Sequence, residues 1–433
     1  DSALNCVRSQ LEKFLPSTAP VSHQQFVDHY KGCKREFYQR ALDDLRNGRS
    51  TLEEDASVSV FIKYEKTDWT SKANPVPRVI SPRDPKFNIR VGRYLWNLEH
   101  KLFKSIGKLF HHEHPTVIKG FNASKSAKIL LDKWELFHDP VAVGLDASRF
   151  DQHVSTEALE WEHEIYKKCF RSKKHKSKLG NLLAQQLENH CTGWTQDGQV
   201  SYTVKGTRMS GDMNTSLGNC LLMCSMVKAY FLHKNIDAQL ANNGDDCVVF
   251  LEKRDLKHFM EGLSEWFLKL GFNMMVEEPV SEFCQLEFCQ TKPIFDGEEW
   301  TMCRNPHTAI AKDSVMLHKW DNDRLFKGWL DAVGTGGLAL TARLPIFQSF
   351  YQCYVRSGKR RKTIPKGLLP WSFENMRDGM RRKEGIVRPE ARCSFWEAFD
   401  ITPDEQIEIE KYYDELSVTN VPGPYEPRSV FAN

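Results

Sequence analysis

The chain has 433 residues, with 60 Lys+Arg against 57 Asp+Glu and a formal net charge of +3. Its 27% charged and 40% hydrophobic residues exclude a disordered or fibrous protein, and so small a net charge argues against a histone-like or tail-driven nucleic-acid binder. The length suggests about three domains or one large composite enzyme, at roughly 150 residues per domain, and no stretch approaches the roughly 20 apolar residues of a membrane span.

Residues 1 to about 60 read as helices, with apolar positions separated by charges, as between Asp28 and Leu52. Val58 to Tyr64 turns strand-like, because β-branched and aromatic residues dominate it. Residues 67 to 90, rich in proline and basic residues, predict an ordered but irregular loop, and a helix follows from about Arg90 to Phe110. Val141 to Leu145 predicts a short apolar strand ending at Asp146, and residues 155 to 192 predict helix interrupted by a basic run. Met213 to Leu232 predicts a buried helix, since Asn219 and Lys228 interrupt its apolar character. Residues 237 to 252 predict a β-hairpin about Asn243-Gly244, a pair that tolerates positive φ at both turn positions. Beyond residue 306, helical segments mix with basic loops, and Thr402-Pro403-Asp404-Glu405 predicts a capping box with proline at the first helical position.

Twelve scattered cysteines without a CxxC pair suggest reduced thiols in an intracellular protein. Cys284, Cys289 and Cys303 lack a tetrahedral zinc spacing. His111, His112 and His114 around Glu113 read as a solvated run, because sequence neighbours point in different directions. Charge is segregated along the chain. Lys167, Lys168, Arg171, Lys173, Lys174, Lys176 and Lys178 form one run without acid, and Arg356, Lys359, Arg360, Arg361, Lys362 and Lys366 another. Such clusters suit polyanion contact through counterion release, or are simply solvated loops. The C-terminal stretch from Glu397 to Glu415 is acidic and predicts a helix of structural role.

The candidate chemistry lies in three segments. Gly244-Asp245-Asp246 places adjacent aspartates after a hairpin turn, where like charges repel unless a divalent cation resolves the conflict. Asp146 ends a buried strand and Asp151 follows it five residues later, so Asp146 can share a metal site with the hairpin if the strands are neighbours. Two Mg²⁺ ions about 3.5–4 Å apart on such carboxylates activate an attacking hydroxyl and stabilise a leaving pyrophosphate. Ser210-Gly211 then opens a helix on which Thr215 and Asn219, four residues apart, share one face. Polar groups there need partners, and a ribose hydroxyl, Asp151 and Ser210 could supply them.

This ordered set resembles motifs A, B and C of viral RNA-dependent RNA polymerases. The wording of 210–219 and of Phe288-Cys289-Gln290-Thr291-Lys292-Pro293 is similar to that of the tombusvirus, luteovirus and umbravirus enzymes of plant plus-strand RNA viruses, with hepaciviruses more distant. Five motifs in order span roughly residues 58 to 305. The resemblance implies an α+β right-hand polymerase with an RRM-like antiparallel palm and a helical thumb. In that scheme residues 1–140 are fingers with a motif F loop at 58–90, 141–165 and 205–305 are palm, 166–204 are a fingers insertion, and 306–433 are thumb.

The resemblance also implies residue roles. Asp146, Asp245 and Asp246 would be catalytic and hold two Mg²⁺ ions, with Mn²⁺ as an alternative. Asp151, held by Asn219 and Ser210 and accompanied by Thr215, would read the ribose 2′-hydroxyl, where reverse transcriptases usually carry a bulky aromatic residue. Lys66, Arg78 and Arg83, on a loop stiffened by Pro75, Pro77 and Pro82, would meet the triphosphate of the incoming nucleoside triphosphate. Phe288-Cys289-Gln290 resembles the primer grip and Leu263 to Phe272 the motif D helix, with Lys269 the nearest acid candidate. RNA template and product are the implied macromolecular ligands. A viral auxiliary replicase protein would provide membrane attachment, in replication complexes on membranes of the host cytoplasm. The chain opens at Asp1, which fits a domain of a longer readthrough or frameshift product. The alternative functions are a reverse transcriptase and a catalytically silent RNA-binding scaffold.

Overall fold

The computed structural model of the protein describes residues 2–48, 50–67, 75–111, 113–317, 322–359 and 379–420. It is a mixed α+β structure whose internal contacts define two compact units, one of residues 1–64, 76–119 and 129–281, the other of 65–75, 120–128 and 282–433.

The first unit opens with α1 (Ser2–Glu12), α2 (His23–Asp28), α3 (Gly32–Arg46) and α4 (Leu52–Ala56), followed by α5 (Pro85–Lys108). Local chemistry sets several of these starts. Ser22 with Gln25, and Thr51 with Glu54, close capping boxes at α2 and α4. Asp84 caps α5 and Pro85 occupies its first turn, so α5 begins earlier than its apolar pattern alone predicts. The division between the units falls within α6 (Ala123–Trp134). The remaining helices are α7 (Phe150–His153), α8 (Thr156–Lys168), α9 (Lys173–Ala184), α10 (Thr215–Lys234), α11 (Leu256–Met260) and α12 (Leu263–Lys269).

Eight strands, β1 (Val58–Ile62), β2 (Val79–Ile80), β3 (Pro140–Ala147), β4 (Glu188–Thr195), β5 (Gly198–Lys205), β6 (Ala238–Asn243), β7 (Asp246–Glu252) and β8 (Met274–Val276), make two sheets. One has the order β6-β7-β3-β8 and is antiparallel throughout; the other, β2-β1-β4-β5, contains one parallel pairing, β1 with β4. In the first sheet β3 and β7 are buried along most of their length. Their Val141, Val143, Leu145, Val249 and Leu251 share a core with Leu217, Leu221 and Met223 of α10. Helix α10 is buried almost all round, as its continuous apolar run requires, and ends at Asn235 in the left-handed conformation. The far end of the β3–β7 pair is clamped by Glu252, whose carboxylate accepts from the backbone N–H groups of His138 (2.7 Å) and Asp139 (3.0 Å).

One expectation is corrected here. Helix does not continue to residue 192: α9 stops at Ala184, and β4 and β5 form a hairpin about Gln196-Asp197. Asp-Gly between two alternating segments is a strong turn signal that outweighs the apolar spacing. The expected interruption does fall within the basic run: α8 ends at Lys168, and Ser172 caps α9, on which Lys173, Lys174, Lys176 and Lys178 lie. The second basic run lies mostly outside the described residues, because 360–378 are not among them.

The second unit consists of the hairpin β9 (Thr291–Phe295) and β10 (Trp300–Arg304) with α13 (Pro306–Asp313), α14 (Asp323–Thr341), α15 (Phe347–Ser357), α16 (Pro389–Phe399) and α17 (Pro403–Glu415). Trp329, Leu330, Phe347, Phe350, Tyr351 and Phe395 form its core. Gly337 is required there, because a Cβ would enter the Tyr351 ring. Thr402 and Glu405 close the predicted capping box, with Pro403 in the first turn of α17.

Candidate active site

The register of the β6-β7-β3-β8 sheet brings the predicted carboxylates together. Asp146 of β3 lies directly opposite Asp246 of β7. Side chains alternate along a strand, so Asp146 is exposed between buried Leu145 and Ala147. The hairpin turn itself is Gly244-Asp245, since Asn243 pairs with Asp246. Gly244 has φ +95° and neither Asn243 nor Asp245 has a positive φ, which is the type II′ pattern with glycine first. The turn therefore sits one residue later than the Asn-Gly pair predicts, and Asp245 occupies it rather than following it. Asn242 secures the turn through its side chain, donating to the Gly244 carbonyl (2.6 Å) and accepting from the Gly244 N–H (3.1 Å).

Like charges directly opposite on neighbouring strands are destabilising. Among the described residues no group of three or more His, Cys, Asp or Glu side chains is placed to hold a metal ion. A further carboxylate escaped sequence reasoning. Glu277, just past β8, covers Gly144, where a Cβ would collide with its carboxylate; Gly144 shares a strand face with Asp146. Its only sequence signal is the glycine two residues before Asp146.

Of the residues expected at the ribose, Asn219 meets Asp151, whereas Ser210 and Thr215 turn elsewhere. Asn219 donates from Nδ2 to Asp151 Oδ1 at 2.7 Å. A carboxylate can only accept here, which fixes the amide orientation and leaves Asn219 Oδ1 as a buried acceptor without a partner. Burial pushes the Asp151 carboxyl above the usual aspartate range, with the Asn219 bond pulling against it. Ser210, expected on Asp151, instead accepts from the Ser81 N–H at 2.9 Å. Thr215 donates to the Met209 carbonyl at 2.7 Å. Both hydroxyls shape the 206–214 loop.

Beneath that loop lies a buried polar network that no motif announces. Arg208 and Glu162 form an ion pair with both side chains at 0% exposure. Glu162 also accepts from Tyr166 Oη (2.7 Å) and Asn214 Nδ2 (2.8 Å), and Gln186 Nε2 donates to Asn214 Oδ1 (2.9 Å). Burial alone would push the Glu162 carboxyl up, but Arg208 and Tyr166 hold it below its ordinary value. Gly218 of α10 leaves room for the pair: a Cβ there would lie 2.5 Å from Arg208 Nη2 and from both Glu162 carboxylate oxygens. The Arg208 and Thr207 N–H groups donate to the Asp151 (2.8 Å) and Val154 (2.7 Å) carbonyls, so the network also fixes the chain around Asp151.

Arg83 belongs to this framework, which corrects its expected place over a triphosphate. Its guanidinium is buried, ion-paired with Asp212 and hydrogen-bonded to Asn189 Oδ1 and to the Ala56 carbonyl (2.6 Å). Arg78 is exposed, as a phosphate contact requires. Lys66, in the second unit, donates to the Lys312 carbonyl at the end of α13, and burial lowers its pKa. Cys289 and Gln290 both adopt positive φ (52° and 58°), in a two-residue turn closed by reciprocal bonds between Phe288 and Thr291. Lys269 lies at the last turn of α12, before Gly271.

A family model described as viral RNA dependent RNA polymerase matches residues 2–421. The chain belongs to this polymerase family. The RNA-directed RNA polymerase of Oat chlorotic stunt virus is 56% identical over 436 residues, covering 97% of this chain and 58% of that protein. The RNA-directed RNA polymerases of Turnip crinkle virus and Tobacco necrosis virus strain A are 41% and 44% identical, over 96% and 91% of the chain and 53% and 54% of their own lengths. The chain thus spans little more than half of these viral polymerases. The membership accords with the resemblance drawn from its motifs.

The buried network makes two stability predictions. Breaking one partner of a buried ion pair costs about 3–5 kcal/mol, so Glu162→Gln and Gly218→Ala should each lower the guanidinium midpoint strongly, whereas substituting exposed Glu160 should not. His163, beside Glu162, is pushed by burial from 6.5 down to about 4. A folded-state pKa below the unfolded one means that His163 favours folding fully above pH 6.5, and that this contribution fades as pH falls toward 4. At pH 5 it should have lost about 2 kcal/mol. Unfolding free energies at pH 7.5 and 5.0 should therefore differ less in His163→Gln than in the parent.

Proposed function

We propose that this chain is a polymerase core that copies plus-strand viral RNA, adding ribonucleoside monophosphates to an RNA 3′-hydroxyl with release of pyrophosphate. The observation that carries the reading is the pairing of Asp146 with Asp246 across adjacent strands, with Asp245 in the adjoining turn, in a member of this family. The β6-β7-β3-β8 sheet is the palm in this reading. Helices α7, α8 and α10 to α12 pack with it in the palm, the β2-β1-β4-β5 sheet and the remaining helices of the first unit belong to the fingers, and the C-terminal helices to the thumb.

Asp146, Asp245 and Asp246 are the residues that would hold Mg²⁺. Bound there, the metal supplies activation of the attacking hydroxyl and charge neutralisation at the leaving pyrophosphate. The chain's own side chains do the positioning. Asp151 accepts a hydrogen bond from the ribose 2′-hydroxyl, and the buried Asn219 Oδ1 offers a second acceptor beside it. A deoxyribose would offer this pair no donor, leaving a buried acceptor unpaired. Arg78 meets the triphosphate through its fork of donors, while Arg83 holds the loop in place from behind.

Two measurements test this. Asp245→Ala should lower Mg²⁺-dependent primer-free or primed incorporation by more than about 100-fold, given that even second-shell changes at metal sites cost 10–100-fold. RNA affinity should be kept, and a variant that polymerises like the parent would remove the assignment. Side-by-side incorporation of GTP and dGTP should show a ribonucleotide preference, which reaches roughly 10⁴-fold in sites built around a hydroxyl. Asp151→Ala should collapse the preference mainly by slowing GTP, and an unchanged ratio would exclude Asp151 as the sugar reader.

A further inference from the structure

The β2-β1-β4-β5 sheet has one face that no role described so far uses. Alternation and register place Ser59, Phe61, Ile80, His190, Thr192, Trp194, Gln199, Ser201 and Thr203 on it. The opposite face holds Val58 and Cys191, which are buried against Met209. The parallel register runs Val58 to Cys191, Ser59 to Thr192 and Val60 to Gly193, with Phe61 and Trp194 each one residue beyond its last pair. Phe61 is 52% exposed and Trp194 75%, and among the described residues neither ring stacks on another aromatic side chain. Ile80 lies opposite Phe61, and the rest of the face is hydroxyl, amide and imidazole. His190 Nδ1 and Thr203 Oγ1 are 3.0 Å apart, and Gln199 Nε2 donates to Ser201 Oγ at 3.1 Å.

The composition of this face selects its occupant. A protein-docking patch needs contiguous apolar area, whereas here two separate rings stand among mostly polar groups. The four strands contain a single carboxylate, Glu188, which sits 3.8 Å from Lys205 across the hairpin. Lys63 and Arg78 flank the sheet where β1 and β2 meet, their backbones joined by a 2.8 Å hydrogen bond. The face also leads directly into the candidate site: Ile80 lies on it, and the next residue, Ser81, donates to Ser210. Unpaired nucleic-acid bases are bound in this way, by stacking on exposed rings of an open sheet while nearby polar groups take the base edges and 2′-hydroxyls.

We propose that this face is a stacking platform for single-stranded RNA, on which Phe61 and Trp194 each take an unpaired base. The proposal rests on the reading of the chain as an RNA polymerase and names a contact with the strand outside the nucleotidyl-transfer site. Stacking accepts every base, so the platform guides a strand without selecting its sequence.

The test uses the full chain and fluorescein-labelled oligo(U), with a blunt RNA duplex as comparison, in anisotropy titrations across a NaCl series without nucleotides. Phe61→Ala and Trp194→Ala should each weaken single-strand binding by about 5- to 150-fold, the range for loss of one stacked base. Duplex affinity should stay put. The salt slope should also be unchanged, because no phosphate contact is lost, and Trp194→Phe should keep most of the affinity. Both side chains are exposed, so unaltered circular dichroism and melting should accompany the loss. Unchanged oligo(U) affinity would overturn the proposal and leave the rings as a protein-docking pair. An equal loss on duplex, or a shallower salt slope, would also overturn it. Failure here with incorporation intact touches only the platform; absence of incorporation by the parent, with stacking intact, touches only the polymerase reading.

Discussion

The buried Arg208–Glu162 ion pair is the constraint from which the geometry of the candidate site follows. Both groups are fully removed from water, so their desolvation is offset only if every remaining donor and acceptor is met. Tyr166, Asn214 and, through it, Gln186 meet much of that requirement. Each partner comes from a different element, so satisfying one ion pair fixes α8, the approach to β4 and the loop before α10 relative to one another. The loop cannot relax, because Arg208 N–H is bonded to the carbonyl of Asp151. Gly211 is pressed on Pro82 from the other side. The same contacts that neutralise a buried charge thereby hold Asp151 against Asn219.

Charge is handled in two opposite ways within the first unit. Behind the site, acids and bases are matched closely, as in Arg83 with Asp212 and Arg208 with Glu162. At the open end of β3 and β7, Asp146 and Asp246 are set opposite each other. Local pairing in the interior and concentrated negative charge at the rim can coexist with a net charge of +3. The total describes the sum of separate surfaces and carries little information about the ligand.

Motif order made the carboxylate pairing legible, because a buried strand ending in aspartate and an aspartate hairpin have few ways to share a sheet. Helix α10 was legible from its apolar run, and α17 from Thr402-Pro403-Asp404-Glu405. What the sequence concealed were partnerships between distant residues. Nothing local distinguishes Arg83, which is enclosed by the framework, from Arg78, which is exposed; the difference lies in Asp212 and Asn189, more than a hundred residues away. The β4–β5 hairpin was hidden for a different reason. Its strands carry polar residues on an open face, so an apolar-spacing argument reads past them, although Asp197-Gly198 lies at the turn.

Glu252 sits at the opposite end of the β3–β7 pair from the aspartates, yet its two backbone hydrogen bonds to residues 138 and 139 bear on them. A β-ladder can be misaligned by one residue while keeping most of its hydrogen bonds, and such a shift turns every side chain to the other face. In β3 it would swing Asp146 into the core and bring Leu145 to the surface. Apolar packing along the strand opposes that error, and the Glu252 carboxylate adds a directional lock where the strand begins. A half-buried acid six residues along the strand from Asp246 thus helps decide which side of the sheet the chemistry occupies. Its role is that of an alignment pin, placed at the far end of the ladder from the site it serves.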